Sequence, residues 1–233
     1  GLSCGYVGHS VVESGADGGD GPAFRRRHAI PDDAKLLSML PGSRRGEVGT
    51  LLPIFAKVAQ SLAGTHPNLR VVVPTTANVA DQVAAALAAW PLPTIVLRGI
   101  AEKYDAFAAS NAALAASGTV ALELAMAKLP AVVTYRINPI THAYVDRVVK
   151  VDYVNLINVV LGREAVPELL QYDGTPEKLT AAVTRLLDDP AAASAQIDAG
   201  QEALKVLGYG GVSPALRAAD EVLSVIARKT HRG

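Results

Sequence analysis

Two short stretches combine glycine, a hydroxyl residue and charge in the way a phosphate-binding turn requires. They are Leu40-Pro-Gly-Ser-Arg-Arg-Gly-Glu47 and Ala116-Ser-Gly-Thr-Val-Ala-Leu-Glu123. Each follows a short apolar run and opens a helical pattern. A strand that enters a helix through such a turn presents unpaired backbone N–H groups to an anion. Gly42 and Gly46 allow a tight turn and close approach to the backbone. Arg44 or Arg45, next to Ser43, can place two parallel N–H groups on phosphate oxygens. In the second stretch Ser117 is positioned to cap the helix, and Gly118 lets a ligand come near. Glu123 lies four residues past Thr119, on the same helical face. Its neighbours Ala121, Leu122, Leu124 and Ala125 are apolar, so the helix is expected to be buried on most sides, where an unpaired carboxylate is costly. Sugar hydroxyls would satisfy it. Phosphate turns plus a ribose-binding carboxylate point to a nucleotide, here a sugar nucleotide.

Other chemistries find less support. The first turn lacks the Gly-Lys-Ser/Thr of a Walker loop, and no G-x-G-x-x-G is present, which counts against a dinucleotide-dependent oxidoreductase. Gly-x-Ser-x-Gly is absent, so no nucleophile elbow is expected. His9, His28, His66, His142 and His231 show no metal-ligand spacing, and the single Cys4 has no partner for an internal disulfide. No cofactor and no metal are expected. Asn155 and Asn158 sit between apolar residues, where an amide can bond a ligand or hold a loop.

The turns need a scaffold. Apolar runs at Leu36–Leu40, Leu69–Val73 (closed by Pro74), Thr94–Leu97, Ala112–Ala116 and Pro130–Tyr135 read as strands. Between them, helical spacing is predicted over Gly46–Ala63, Val79–Trp90, Tyr104–Ser110 and Thr119–Lys128. This alternation predicts an α/β fold, a Rossmann-like parallel sheet with helices on both faces. Ligands on such sheets sit beyond the carboxyl ends of the strands, where both turns fall. Further helices are expected over Ile140–Val149, Val166–Gln171, Pro176–Leu187 (with Thr175 as N-cap), Ala191–Leu207 and Pro214–Ala227, a helical C-terminal tail. Residues 11–34 read as a linker with a short helix, and Arg25-Arg26-Arg27 within it as a solvated face.

The domain reading is 1–34 as an inter-domain strand end and linker, 35–187 as the Rossmann-like domain, and 188–233 as C-terminal helices. The opening, Gly1-Leu-Ser-Cys-Gly-Tyr-Val-Gly-His9, has no initiator methionine and reads as the end of a strand in progress, so a preceding part is expected. Lys+Arg and Asp+Glu balance at 22 each, which argues against a dedicated nucleic-acid binder. Hydrophobic residues make up 50% of the chain, yet no apolar run approaches the ~18 residues of a membrane span. The lone cysteine suits a reducing compartment.

Several of these residues also carry a family resemblance. Tyr6-Val-Gly-His9, Leu40-Pro-Gly-Ser-Arg44 with Glu47, Ala116-Ser-Gly-Thr119 with Leu122-Glu123, Tyr135-Arg136, Asp152-Tyr-Val, Asn158 and Pro167-Glu-Leu-Leu-Gln171 occur in the order and approximate spacing of the lipid-A-disaccharide synthase family. The chain departs from the family at Ser10, where proline more often follows Gly-His. The resemblance covers the C-terminal part of that family's length. It implies the C-terminal half of a GT-B glycosyltransferase, the half that mainly holds UDP. It implies transfer of 2,3-diacylglucosamine from UDP to 2,3-diacylglucosamine 1-phosphate, in lipid A biosynthesis, at the cytoplasmic face of the inner membrane of Gram-negative bacteria. Peripheral contact with the membrane surface follows, and homo-oligomerisation stays open.

Carried over by residue, Arg44 resembles the phosphate-contacting arginine and Ser117–Thr119 the diphosphate cradle. Glu123 resembles the acidic ribose position, and Asn158 an asparagine linked to activity. Ile100, in Arg98-Gly-Ile100, is a candidate for backbone contact to uracil. The expected UDP-sugar site is thus Gly42, Ser43, Arg44, Ile100, Ser117, Gly118, Thr119, Glu123 and Asn158. The base is expected in an N-terminal domain, so no catalytic residue is assigned here. Two alternatives remain: another UDP-GlcNAc-using GT-B enzyme (a 2-epimerase or the peptidoglycan GlcNAc transferase), or a non-catalytic nucleotide-binding module.

Overall fold

The computed structural model describes residues 4–136 and 152–230, without the side chains of 227–230. Its centre is a six-stranded, wholly parallel sheet in the order β3-β2-β1-β4-β5-β6. The strands are β1 (Leu36–Leu40), β2 (Arg70–Thr75), β3 (Thr94–Arg98), β4 (Ala112–Ala116), β5 (Ala131–Tyr135) and β6 (Glu168–Leu170). The connecting helices are α2 (Arg45–Thr65), α3 (Ala80–Leu87), α4 (Lys103–Ala109) and α5 (Val120–Met126). Helix α1 (Gly21–Arg27) precedes the sheet. After β5 come α6 (Leu156–Leu161), α7 (Pro176–Asp188), α8 (Pro190–Val206) and α9 (Pro214–Thr230).

Burial on both faces explains why the central strands are continuous apolar runs. All five residues of β1 and all five of β4 are buried. Alternate residues serve opposite layers. Leu37, Met39, Ala112, Leu114, Ala116, Val71 and Val73 pack with α2, α3 and α7. Ala113 and Ala115 face Phe107 of α4 and Leu124 of α5. On the same side, α5, α6 and α8 share a cluster that includes Leu122, Ile157 and Leu204. Alanine is a poor strand former in isolation, yet β4 lies at the middle of the sheet, where burial decides the state.

The chain fills β1, β2 and β3 outward in one direction, then returns to lay β4 against the other side of β1. That reversal opens a crevice at the carboxyl ends of β1 and β4. The turns after these two strands are the two glycine-containing turns.

Four local expectations are corrected. Strand β2 does not stop at Val73 but runs through Pro74 to Thr75. Arg70 N donates to Lys35 O and Val71 N to Pro93 O, so even-numbered residues face β1. The β1 register ends at Val72, hence the missing N–H of Pro74 leaves no ladder bond unmade. The segment Val166–Gln171, expected helical, contains strand β6. The open edge of β5 offers bonds from Val133 N to Pro167 O and from Gln171 N to Tyr135 O, and this pairing overrides helix propensity. Residues 4–9, expected to end a strand, carry no regular element.

The arginine run is solvated at Arg26 and Arg27, which are exposed, but not at Arg25, which is bonded into the fold. Arg25 donates to the carbonyls of Ala109 (2.9 Å), Ala34 (3.0 Å) and Pro31 (3.1 Å), and Arg27 pairs with Glu102 and Asp105. Helix α6 was not foreseen, although Asn155 caps it through a bond from Ile157 N and Gly162 ends it in the left-handed region at φ 63°. The helix expected over 140–149 lies outside the described residues. Elsewhere α7 starts as expected, with Thr175 as N-cap and Pro176 at its first position.

Candidate functional site

At the crevice the turns enclose a cavity of ≈ 470 Å³. Eight of the nine expected site residues line it: Gly42, Ser43, Arg44, Ile100, Ser117, Gly118, Thr119 and Glu123.

The first turn is built around Gly42. Its φ is +109°, and a Cβ there would stand 2.1 Å from Glu47 Oε2. The conformation favours glycine, and the missing side chain leaves room for Glu47 to fold over it. Glu47 folds back to accept from Ser43 N at 2.9 Å. Asn78 braces the turn from the other side, donating to Ser43 O at 2.9 Å, and Thr76 donates to Asn78 at 2.6 Å.

Arg44 occupies the N-cap position of α2 and makes no side-chain cap bond. It is exposed, and among the described residues it has no ion pair. Helix α2 runs for 21 residues, so its first N–H groups and its dipole favour an anion at this end. Arg45 does not line the cavity.

The second turn differs in detail from expectation. Helix α5 spans seven residues, and Thr119, not Ser117, is its N-cap, without a side-chain bond. Among the described residues neither the Ser117 nor the Thr119 hydroxyl has a hydrogen-bond partner, while both line the cavity. Ser117 N is used by Thr134 O at 2.8 Å, which extends the β4–β5 ladder into the turn. No atom lies within 4 Å of where a Cβ on Gly118 would be, so the space above it is open.

Glu123 is not the unpaired carboxylate expected. Lys103 Nζ stands 2.5 Å from its Oε2, and the Tyr104 hydroxyl donates to Oε1 at 3.1 Å. Burial, and then the charge of Glu123, push the Tyr104 phenol above its usual range. Lys103, Thr75 and Thr76 are cavity residues that sequence reasoning missed, while Gly99 lies in the segment it had named. The signal for Lys103 was its place just after the carboxyl end of β3, on the edge shared by both turns. Thr75 is 5% exposed, and its Oγ1 has no hydrogen-bond partner among the described residues. Ile100, 75% exposed, follows Gly99 (φ +94°) at the rim, and its carbonyl accepts from Lys103 N.

Asn158 is not brought to the cavity. It is fully buried and its amide is saturated. Oδ1 accepts from Ala165 N and Val166 N, both at 2.8 Å, and Nδ2 donates to Val166 O (2.8 Å) and Glu168 Oε1 (2.7 Å). It holds the loop between α6 and β6. No cluster of metal-ligating side chains occurs among the described residues.

A doubly wound parallel sheet with a charged crevice at its reversal point defines a Rossmann-like domain. Its fold matches that of WaaG, a glycosyltransferase involved in lipopolysaccharide biosynthesis, at a TM-score of 0.55 and 19% identity, over 86% of this chain and 50% of that one. The lipid-A-disaccharide synthetase family model matches residues 1–211, and the chain belongs to that family. It is 58% identical to the lipid-A-disaccharide synthase of Rhodospirillum centenum over 98% of its length, and 51% identical to that of Paramagnetospirillum magneticum over 97%. It spans 57% and 58% of the length of these two relatives.

Proposed function

We propose that the crevice holds the UDP part of a sugar nucleotide, and that the chain is the donor-binding part of a lipid-A-disaccharide synthase. The reaction is transfer of 2,3-diacylglucosamine from UDP to 2,3-diacylglucosamine 1-phosphate. The bond from the sugar C1 to the phosphate oxygen breaks, and its electron pair leaves with UDP. An acceptor hydroxyl oxygen forms the new bond to C1 and gives its proton to a base that is not assigned in this chain. Both sugars carry acyl chains, so the proposed setting is a membrane surface, the cytoplasmic face of the inner membrane. No described helix is long and apolar enough to cross a membrane.

The observation that carries this reading is the state of the charges. Glu47 is spent on its own turn, and Lys103 is spent on Glu123. Arg44 lines the same cavity with no partner among the described residues, at the N-terminus of a long helix. A cation placed so stabilises the negative charge that develops on a departing diphosphate. In this reading the backbone N–H groups of Gly42, Gly118 and Thr119 and the hydroxyls of Ser43, Ser117 and Thr119 supply donors, since Ser43 N and Ser117 N are already bonded within the fold. Ile100 offers an apolar rim for the base.

Calorimetry of UDP binding to the chain and to two arginine variants tests it. A hydrogen bond to a charged group is worth about 1.5–3 kcal/mol, so Arg44→Ala is expected to weaken UDP roughly 10- to 150-fold. Arg45→Ala, outside the cavity, is expected to bind as the parent does. Equal UDP affinity in Arg44→Ala and the parent would reject the reading. Donor selectivity tests the finer claim: tighter binding of the acylated UDP-sugar than of UDP-GlcNAc is expected, and equal binding points to a different UDP-sugar enzyme.

A further inference from the structure

The wall of the crevice contains a small, tightly made polar group that the phosphate chemistry does not use. Lys103 is the first residue of α4 and Tyr104 the second, and both reach Glu123 on α5. The Lys103 and Glu123 side chains are 18% and 16% exposed. An ordinary surface pair in the same molecule, Lys178–Asp173, is 55% and 68% exposed. Solvent screens the crevice pair far less. The ammonium is held from a second direction, 5.4 Å from the centroid of the Tyr104 ring and 5.7 Å from that of Phe107. Phe107 is wholly buried, so this cation rests on the core.

The consequence lies in the carboxylate. An ionised carboxylate offers about four acceptor directions, two on each oxygen. Lys103 takes one on Oε2 and Tyr104 one on Oε1. One direction remains on each oxygen. A cis-diol, with two hydroxyl donors on adjacent carbons, is the ligand feature that fills both at once.

We propose that Lys103, together with Tyr104, is a positioning residue that locks Glu123 as a two-point acceptor for the cis-diol of the bound nucleoside diphosphate. The inference rests on the nucleotide reading above and adds to it the origin of the preference for a ribose. A glutamate free to rotate must be ordered when the diol binds, and one already clamped loses less freedom. Lysine at the first position of a helix opposes the helix dipole, so the demands of α4 itself do not explain its presence.

Three ligands separate the roles: UDP, 2′-deoxy-UDP and inorganic diphosphate. Each is titrated calorimetrically into the parent, Lys103→Met, Lys103→Arg and Tyr104→Phe. Lys103→Met keeps the apolar stem over the rings and removes the charge. It is expected to lose roughly tenfold in UDP affinity, about 1.4 kcal/mol. Its preference for UDP over 2′-deoxy-UDP is expected to fall towards one, with diphosphate affinity unchanged. Tyr104→Phe is expected to do the same more weakly, and Lys103→Arg to restore most of the preference. A merely structural pair would lower all three ligands together. Loss of diphosphate affinity in Lys103→Met equal to that of UDP overturns the inference, because the cation would then act on phosphate. A full ribose preference in Lys103→Met overturns it too. If Lys103→Met does not fold, the selectivity of Tyr104→Phe and Lys103→Arg decides, and an unchanged preference in Tyr104→Phe rejects the clamp. A parent that binds neither UDP nor diphosphate rejects the nucleotide reading, and this inference with it.

Discussion

Arg44 and Glu47 stand one turn apart on the same loop and helix, and do opposite things. Glu47 closes the turn on itself, whereas Arg44 is left to the solvent and the cavity. Gly42 is what lets Glu47 close. Gly42→Ala would bring a methyl group to 2.1 Å from Glu47 Oε2 and put alanine at φ +109°. The expected cost is about 1–3 kcal/mol of stability, with weaker UDP binding as the turn opens. A melting curve and a UDP titration measure both. Thr75 gives a prediction of the other sign. Its hydroxyl is buried without a partner, so Thr75→Val replaces an unsatisfied group by a methyl of the same shape. Stability is expected to rise by about 1 kcal/mol, read as a higher melting temperature. Asn158 is the reverse case again. Asn158→Ala strands two N–H groups, a carbonyl and part of the Glu168 carboxylate. Destabilisation of about 3 kcal/mol is expected by denaturant melt. UDP affinity of the folded fraction is expected to stay as in the parent, since the residue is remote from the cavity.

Among the elements, those decided by burial were legible in the sequence. β1 and β4 have the bounds their apolar runs imply, and both glycine-containing turns follow from where those runs stop. What was not legible depended on partners distant in the chain. Nothing local in Val166–Gln171 says that an open strand edge awaits it, and nothing local in Glu123 reveals Lys103, twenty residues earlier. The terminal contacts of α2 and α7 are of the same kind. Asp188, the last residue of α7, accepts from Lys35 Nζ at 2.6 Å, and His66 Nε2 lies 3.0 Å from it at the end of α2. The Lys35 bond first, then His66, hold the Asp188 carboxyl below its usual range. A depressed carboxyl contributes stability above its unfolded value and loses it as pH falls through its folded value. Asp188→Asn is therefore expected to melt below the parent at neutral pH. The gap is expected to begin closing below about pH 4, where the unfolded carboxyl takes up its proton, and to vanish only at lower pH, where the folded parent's carboxyl is protonated as well. A gap independent of pH would mean that the contact is not electrostatic.

For the whole molecule the distinctive feature is the last helix. α9 meets the N-terminal segment, where Ser213 contacts Glu13, Arg217 donates to Tyr6 O at 3.0 Å and Glu221 lies beside Gly5. It also presents apolar side chains to solvent. Leu216 is 61% exposed, Val222 59% and Leu223 62%, and Leu216 and Leu223 lie seven residues apart on one stripe. Val212 and Val206 are exposed as well, at 64% and 61%. Exposed apolar side chains that share a helix face favour association. Each leucine returned from water to an apolar contact is worth roughly 1.5–3 kcal/mol, so two on one stripe favour pairing at ordinary protein concentrations. The chain is therefore expected to self-associate as its concentration rises. Light scattering is the measurement, with the double variant Leu216→Gln and Leu223→Gln as comparison. The variant is expected to scatter as a monomer and to bind UDP as the parent does, because the stripe is far in sequence and fold from both turns. A parent that stays monomeric at high concentration would mean that the stripe is too narrow to drive association.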